Sequence, residues 1–377
     1  IDLLPAAQAM LADAEAHPED ANLWMNLSIA MLCLGHRDLG LSIQAQALES
    51  KRIFDLPAAI QPAKFRLLML MVPGDLAENT PLDCLLEHGD VDLIYYYVSP
   101  GSPLALPIPA HDAVMVAIGD SDANQSLLAF LDKALIDWPK PVINAARHIP
   151  NTERSAASRL LQNAPGILMP PTYRASRRQL DAAATGQIPF GAWADDLEFP
   201  VILRPLGSQA GRDLERIADP AALADYLSRV DAEAFFASRF IDYSGSDGLF
   251  RKYRIAFIGG RPLACHMAVS SHWMVHYVNA GMYEDAAKRA EEARFMASFD
   301  DFAARHRDAL AAIPQRLKLD YFCIDCAEMP DGRLLIFEAD HVMVVHTMDQ
   351  EALFPYKKVH MMKVQQAFRD FLTGLSA

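Results

Sequence analysis

Three carboxylates, Asp325, Glu338 and Asp340, lie close together in the stretch IDCAEMPDGRLLIFEAD, residues 324–340. Neighbouring acids can share a proton, hold basic partners, or ligate hard cations, which prefer oxygen donors. The stretch is two apolar runs meeting at Pro-Asp-Gly. Asp-Gly between apolar runs is a hairpin signal, because a two-residue turn needs residues that tolerate positive φ. Centred on Asp331 and Gly332, the turn pairs Pro330 with Arg333, Asp325 with Glu338 and Cys323 with Asp340. Side chains alternate along a strand, so the three acids share one face, and Phe322, Ile324, Phe337 and Ala339 take the other. Opposed β carbons lie about 5 Å apart, where like charges destabilise a sheet. Something must offset that repulsion, unless the hairpin is an edge with its acids in water.

Other groups carry weaker signals. His272 and His276 stand four apart in CHMAVSSHWMVHYVNAGM, a spacing that on a helix presents two imidazoles to zinc. No Glu follows His272 as in HExxH, and ACHMAV reads as strand, so an amphipathic segment with satisfied histidines competes with the zinc reading. Cys323 and Cys326 spell CxxC, but three apart on a strand they point to opposite faces, and core filling explains them better.

The elements that must position these residues can be read along the chain. Its 377 residues are enough for two or three domains, and 52 % apolar with 22 % charged residues fits a packed globular protein. Net charge is −14 and no basic run stands out, which argues against nucleic acid as a partner. No apolar run is long enough to cross a membrane, and no basic-then-apolar leader opens the chain. The initial Ile leads us to expect an initiator Met or a longer tag ahead of it. Five scattered cysteines suit reduced thiols and a cytoplasmic location.

Residues 1–60 read as a helical segment. A helix over 3–15 precedes a run from Pro18 with Leu23, Leu27 and Met31 at four-residue spacing, broken at LGHRD before a second amphipathic stretch. Trp24, Leu27, Gly35 and Ala47 resemble a tetratricopeptide repeat, and these helices could bind a protein partner, although a helical cap on the next domain serves as well. Residues 61–150 form a small parallel α/β domain, since FRLLMLMV, DLIYYYV and DAVMVAIG are continuous apolar runs expected of strands covered on both faces. It contains no GxGxxG or Walker pattern. The remaining residues, 151–235 and 236–377, read as α+β. They hold a helix opened by Asn151 or Thr152, a strand–glycine loop–strand unit in FPVILRPLGSQAGRDL, and a hairpin turning at Gly259 and Gly260. One long charged helix follows over 283–313, then the acidic hairpin and a closing helix over 357–373.

Taken in order, these segments resemble the ATP-grasp superfamily over roughly residues 65–350. FPVILRPLGSQAG is similar to the strand and glycine loop that close over ATP phosphates. AFFASRFIDY is similar to the hinge strand whose backbone reads adenine, and KYRIAFIGGRPL to the strand pair carrying a phosphate-contacting Arg. IDCAEMPDGRLLIFEAD is similar to a metal hairpin patterned Asp, then Glu-x-Asn. The resemblance implies an ATP-grasp fold preceded by the small α/β domain and the helical segment. It also implies an ADP-forming carboxylate–amine ligase using ATP and two Mg²⁺, acting on a small molecule or peptide.

Carried over by residue, Asp325, Glu338 and Asp340 hold metal, Arg204, Gly207, Ser208 and Gly211 meet phosphates under a lid at 206–212, and Lys252 is also counted with the residues that bind ATP. Ser238, Arg239, Phe240 and Ile241 line the adenine. Arg254 and Asn279 serve catalysis, and His272 and His276 border the acceptor substrate. The chain departs from the family in several places. Arg204 stands where Lys is usual, and a second Lys is missing, with Arg154 or Arg159 nearest. Asp340 replaces Asn, Ser238 or Arg239 replaces the hinge acid, and Lys252 stands where a carboxylate often precedes the Arg. A non-catalytic nucleotide-binding scaffold and a small-molecule kinase on the same fold are the rival readings.

Overall fold

The computed structural model describes residues 3–99, 101, 104, 107–208 and 211–375. The chain divides into two units, one of residues 1–149, 319–322 and 341–377, the other of residues 150–318 and 323–340.

In the first unit, helices α1 (Leu4–Ala16), α2 (Ala21–Cys33) and α3 (Arg37–Ser50) open the chain. Asp20 caps α2 by accepting from the Asn22 amide at 2.8 Å. The α2–α3 pair closes around Ser28, whose hydroxyl donates to the Gly40 carbonyl at 2.7 Å. Then come β1 (Ile53–Leu56), β2 (Phe65–Met71), α4 (Leu82–Leu86), β3 (Val91–Tyr97), β4 (Ala113–Val116), α5 (Gln125–Ala134) and β5 (Val142–Ile143). The sheet order is β1-β3-β2-β4-β5, and β2, β3, β4 and β5 pair in parallel as their apolar runs imply. Leu67 to Leu70 and Ala113 to Val116 are wholly buried, which accounts for the lack of alternation. Strand β1 adds an antiparallel edge that the sequence did not announce. The last helix, Lys357–Leu375, also belongs here and buries Phe368 against Tyr321.

The second unit opens with α6 (Arg154–Leu161), β6 (Ile167–Leu168), β7 (Thr172–Ser176), α7 (Arg177–Ala184), β8 (Val201–Pro205) and β9 (Glu215–Ile217). It continues with α8 (Pro220–Arg229), β10 (Ala234–Arg239), β11 (Phe250–Ile258) and β12 (Arg261–Ser270). Helices α9 (Ala286–Ala297), α10 (Phe299–Arg305) and α11 (Arg307–Leu317) lead to β13 (Tyr321–Glu328) and β14 (Leu334–Asp340). One sheet runs β7-β10-β8-β9 and the other β12-β11-β13-β14-β6. The cap of α6 is Glu153, not Asn151 or Thr152; its carboxylate accepts from the Ala156 amide at 2.8 Å. The single helix expected over 283–313 is three helices, with breaks at Ser298 and His306. The second break turns His306 inward, where its ring lies 3.0 Å from Glu328 Oε1 and is only 4 % exposed. The fold is thus mixed α/β and α+β in separate units. Among the described residues no helix is long and apolar enough to cross a membrane.

Candidate anion site around the acidic hairpin

The hairpin β13–β14 sets Asp325 opposite Glu338 and Cys323 opposite Asp340, the expected register. The local route to it differs. Met329 donates to the Arg333 carbonyl at 2.9 Å and Gly332 to the Met329 carbonyl at 2.9 Å, so the loop holds three residues, not two. Gly332 takes the positive φ of 85° that closes such a loop. That turn shifts the pairing by one, with Glu328 opposite Leu334 and Cys326 opposite Ile336. A bulge then inserts Phe337 and restores the acid pair. Without it, Asp325 would face Phe337.

Basic side chains answer the repulsion between these acids. Asp325 is 1 % exposed, and Arg254 on β11 grips it with two nitrogens, Nε to Oδ1 at 2.8 Å and Nη2 to Oδ2 at 3.0 Å. Lys252 Nζ adds a third contact, 2.8 Å from Oδ2. Lys252 and Arg254 are two apart on one strand, so both point to the same face. Burial alone would push the Asp325 carboxyl up, but Arg254 and then Lys252 hold it far below the usual carboxylate range. Glu338 lies beside them in partial burial, ion-paired with Nη2 of Arg154 at the start of α6. Burial raises its carboxyl, and the charges of Arg154, Lys252 and Arg204 together outweigh burial and the nearby Asp325, leaving it lowered. Of the two arginines that could stand for the missing Lys, Arg154 is the one at the acids. Arg159 instead donates to Ser155 Oγ at 3.2 Å.

A fourth cation comes from β8. Arg204 is 9 % exposed, its Nη2 donates to the Ser208 carbonyl, and its Nε has no partner among the described residues. Burial, reinforced by the charge of Arg154, pulls its guanidinium down to about 10. The Ser208 hydroxyl donates to the Arg212 carbonyl at 2.6 Å, so the loop is folded on itself. Gln209 and Ala210, at the centre of the expected lid over 206–212, lie outside the described residues. Gly211 has a φ of 73°, and a β carbon there would fall 2.4 Å from His276 Nε2. The His276 ring is half-buried, that nitrogen has no partner among the described residues, and burial followed by the charge of Lys252 lowers its pKa. The charges of Glu338, Asp325 and Arg204 also bear on it, so loop, histidine and acids form one cluster.

The remaining expected residues are placed as follows. Ser238 and Arg239 end β10 in register with Ile202 and Val201, and Arg239 pairs at the surface with Glu198 at 3.1 Å. The Phe240 amide donates to the Pro200 carbonyl at 2.9 Å and its ring lies under Arg216. Ile241 packs against an apolar cluster containing Tyr243, Val275 and Met282. Gly207 is exposed. Asn279 is exposed and accepts from the His276 amide at 3.1 Å, bracing the turn that carries His276. His272 is exposed just past β12, and no helix joins it to His276. Among the described residues no group of three His, Cys, Asp or Glu side chains is arranged to hold a metal ion.

The sequence reading missed Glu292. It is fully buried, accepts from Tyr277 Oη at 2.8 Å and the Met267 amide at 3.1 Å, and so anchors the segment bearing His276 and Asn279. An acid flanked by other charges on a helix carries no signal that it will turn inward.

As a Mg²⁺ ligand Asp325 does not fit. A hard cation needs carboxylate lone pairs pointing at it, and the two oxygens of Asp325 already accept three donors in a buried setting. What the arrangement offers is four cations to three carboxylates, with a buried guanidinium nitrogen still unpartnered. That is chemistry for a polyanion.

No family model matches the chain, and no curated protein matches it. Among solved structures, it is similar to a RimK-domain ATP-grasp protein from Sphaerobacter thermophilus at 19 % identity, covering 82 % of this chain and 100 % of that one, with a TM-score of 0.46. It is similar to the VanG D-Ala:D-Ser ligase of Enterococcus faecalis at 12 % identity, covering 83 % and 99 % of the two chains, with a TM-score of 0.49. D-alanine–D-alanine ligase of Bacillus anthracis, solved with ATP, matches at 13 % identity over 80 % and 98 %, with a TM-score of 0.44. Likenesses this remote carry no weight for activity, which has to come from the site residues.

Proposed function

We propose that this protein is an ATP-dependent ligase that joins a carboxylate to an amine through an acylphosphate, on an amino acid or a peptide. The observation that carries the reading is the gathering of Arg154, Lys252 and Arg254 on Glu338 and Asp325, with Arg204 beside a glycine loop, within the charge influence of Arg154 and Glu338, its Nε buried and unpartnered among the described residues. Phosphoryl transfer asks little covalent chemistry of a protein; positioning and charge neutralisation supply most of the catalysis. In this reading, the γ-phosphoryl group passes to a substrate carboxylate oxygen and ADP leaves. The amine nitrogen then attacks the acyl carbon, loses its proton, and phosphate departs. Arg204 and Arg254 hold phosphate oxygens, Arg154 orients Glu338, and the loop 206–212 covers the site. Mg²⁺ bound with ATP would neutralise phosphate charge, and the occupied oxygens of Asp325 leave it no place there.

The test is to incubate the protein with ATP, with and without Mg²⁺, a panel of amino acids and peptides, and hydroxylamine. Hydroxamate accumulating with ADP is the expected result. AMP and pyrophosphate would refute the mechanism, and ADP with a stable phosphoester would assign a kinase. A second reading, a nucleotide-binding protein without turnover, is favoured by the ion-paired state of Asp325; it requires nucleotide binding with no product on any acceptor.

A further inference from the structure

The cations around Asp325 invite a question that the ligase reading leaves open: what offsets the charge of a bound polyphosphate here. Asp325 is 1 % exposed, and its oxygens accept from Lys252 Nζ at 2.8 Å and from Arg254 at 2.8 and 3.0 Å. The side chains of Lys252 and Arg254 are themselves only 13 % and 18 % exposed. Two cations on one strand face would repel each other without the carboxylate between them. With it the two are held side by side, and together they carry one more positive charge than Asp325 cancels. A divalent ion at Asp325 would have to displace the ammonium and sit beside a guanidinium. Arg204 adds a buried donor with no partner among the described residues, and Gly211 brings the loop against His276 over the same cluster.

We propose that Lys252, tethered by Asp325, is a fixed cation in place of a divalent metal ion, so that the site binds the polyphosphate of a nucleoside triphosphate without needing metal. Asp325 is then a positioning residue that holds Lys252 and Arg254 toward the phosphates. This rests on the reading above that the site takes a nucleotide, and it concerns binding, whatever the later chemistry.

The experiment is calorimetric titration of the full chain with ATP and, separately, with inorganic tripolyphosphate, each in excess EDTA and in excess Mg²⁺. The wild-type protein should bind ATP in EDTA within about fivefold of its affinity in Mg²⁺. Lys252→Met should lose about tenfold or more in EDTA and regain only part of it in Mg²⁺, because Arg254 still donates to both Asp325 oxygens. Should that variant fail to fold, the wild-type comparison still decides. Wild-type ATP binding that disappears in EDTA and returns with Mg²⁺ overturns the proposal while leaving the nucleotide reading intact. A folded wild-type protein that binds neither ATP nor tripolyphosphate in either buffer overturns both.

Discussion

The two five-stranded sheets bury their central strands to the same degree and with opposite contents. In the first unit Leu67 to Leu70 and Ala113 to Val116 are wholly buried and wholly apolar. In the second, β13 is as deeply buried from Cys323 to Ala327, yet Asp325 sits within it and draws in Lys252 and Arg254. Apolar burial contributes roughly 25 cal/mol per Å² and needs no partners. Each buried ion instead forfeits several kcal/mol of hydration, which attraction recovers only with good geometry. A five-stranded sheet can therefore bury its inner strands without charges, as the first unit demonstrates. In the proposed reading the second keeps them to bind phosphate.

The sharpest way to break the comparison is to take one ion from the second sheet. Arg254→Met leaves Asp325 buried with Lys252 alone, and we expect a loss of roughly 3–5 kcal/mol by chemical denaturation. Replacing the trio together, with Asp325→Leu, Lys252→Met and Arg254→Met, should restore most of that stability and abolish ATP binding. In the first sheet Leu68→Ala should cost roughly 2–5 kcal/mol through the cavity it leaves, with no such rescue and no change in ATP affinity. Stability in the triple variant below that of Arg254→Met would mean the charges hold the sheet together.

A smaller effect tests the loop over the charged face. Gly207 and Gly211 have nearly equal φ angles, 72° and 73°, but only at Gly211 would an added β carbon meet another group, His276. The conformational cost of alanine, on the order of 1 kcal/mol, is common to both. Gly211→Ala should therefore weaken ATP binding by about tenfold more than Gly207→Ala in parallel titrations. Equal effects would detach the loop from the cluster.

The smallest expected effect lies at the end of β13, where Glu328 meets His306 and Arg305 at 3.0 Å each. The His306 hydrogen bond, against burial and with help from Arg305, lowers its carboxyl from an ordinary 4.5 to about 2. A carboxyl lowered on folding stabilises above its unfolded value and loses that contribution as pH falls through its folded one. The wild-type protein should thus exceed Glu328→Gln in stability by on the order of 1 kcal/mol at neutral pH, after screening of this part-exposed group. The gap should close between about pH 4.5 and 2. A gap independent of pH would make the contact one of shape only.

Much of this was written locally. Alternation along two strands put Asp325, Glu338 and Asp340 on one face, and unbroken apolar runs gave parallel strands in the first unit, because both follow from backbone geometry within a few residues. The register came out right although the turn holds three residues, since the bulge at Phe337 cancels the shift, and a bulge has no sequence mark here. The second break in the helix expected over 283–313 lies at His306, whose partner Glu328 belongs to another element, so nothing nearby in sequence marks it. The cations were the least legible. Arg154, Arg204 and the Lys252–Arg254 pair stand far apart in a chain of net charge −14 with no basic run. Lys252, Arg254 and Arg154 reach the acids because β11 lies beside β13 and α6 begins next to β14. The sequence by itself determined which groups share a face, through short-range sterics and the two-residue period. Which charges face them was decided by the pairing of strands distant in the chain, because electrostatic attraction acts between neighbours in space and carries no period along the sequence.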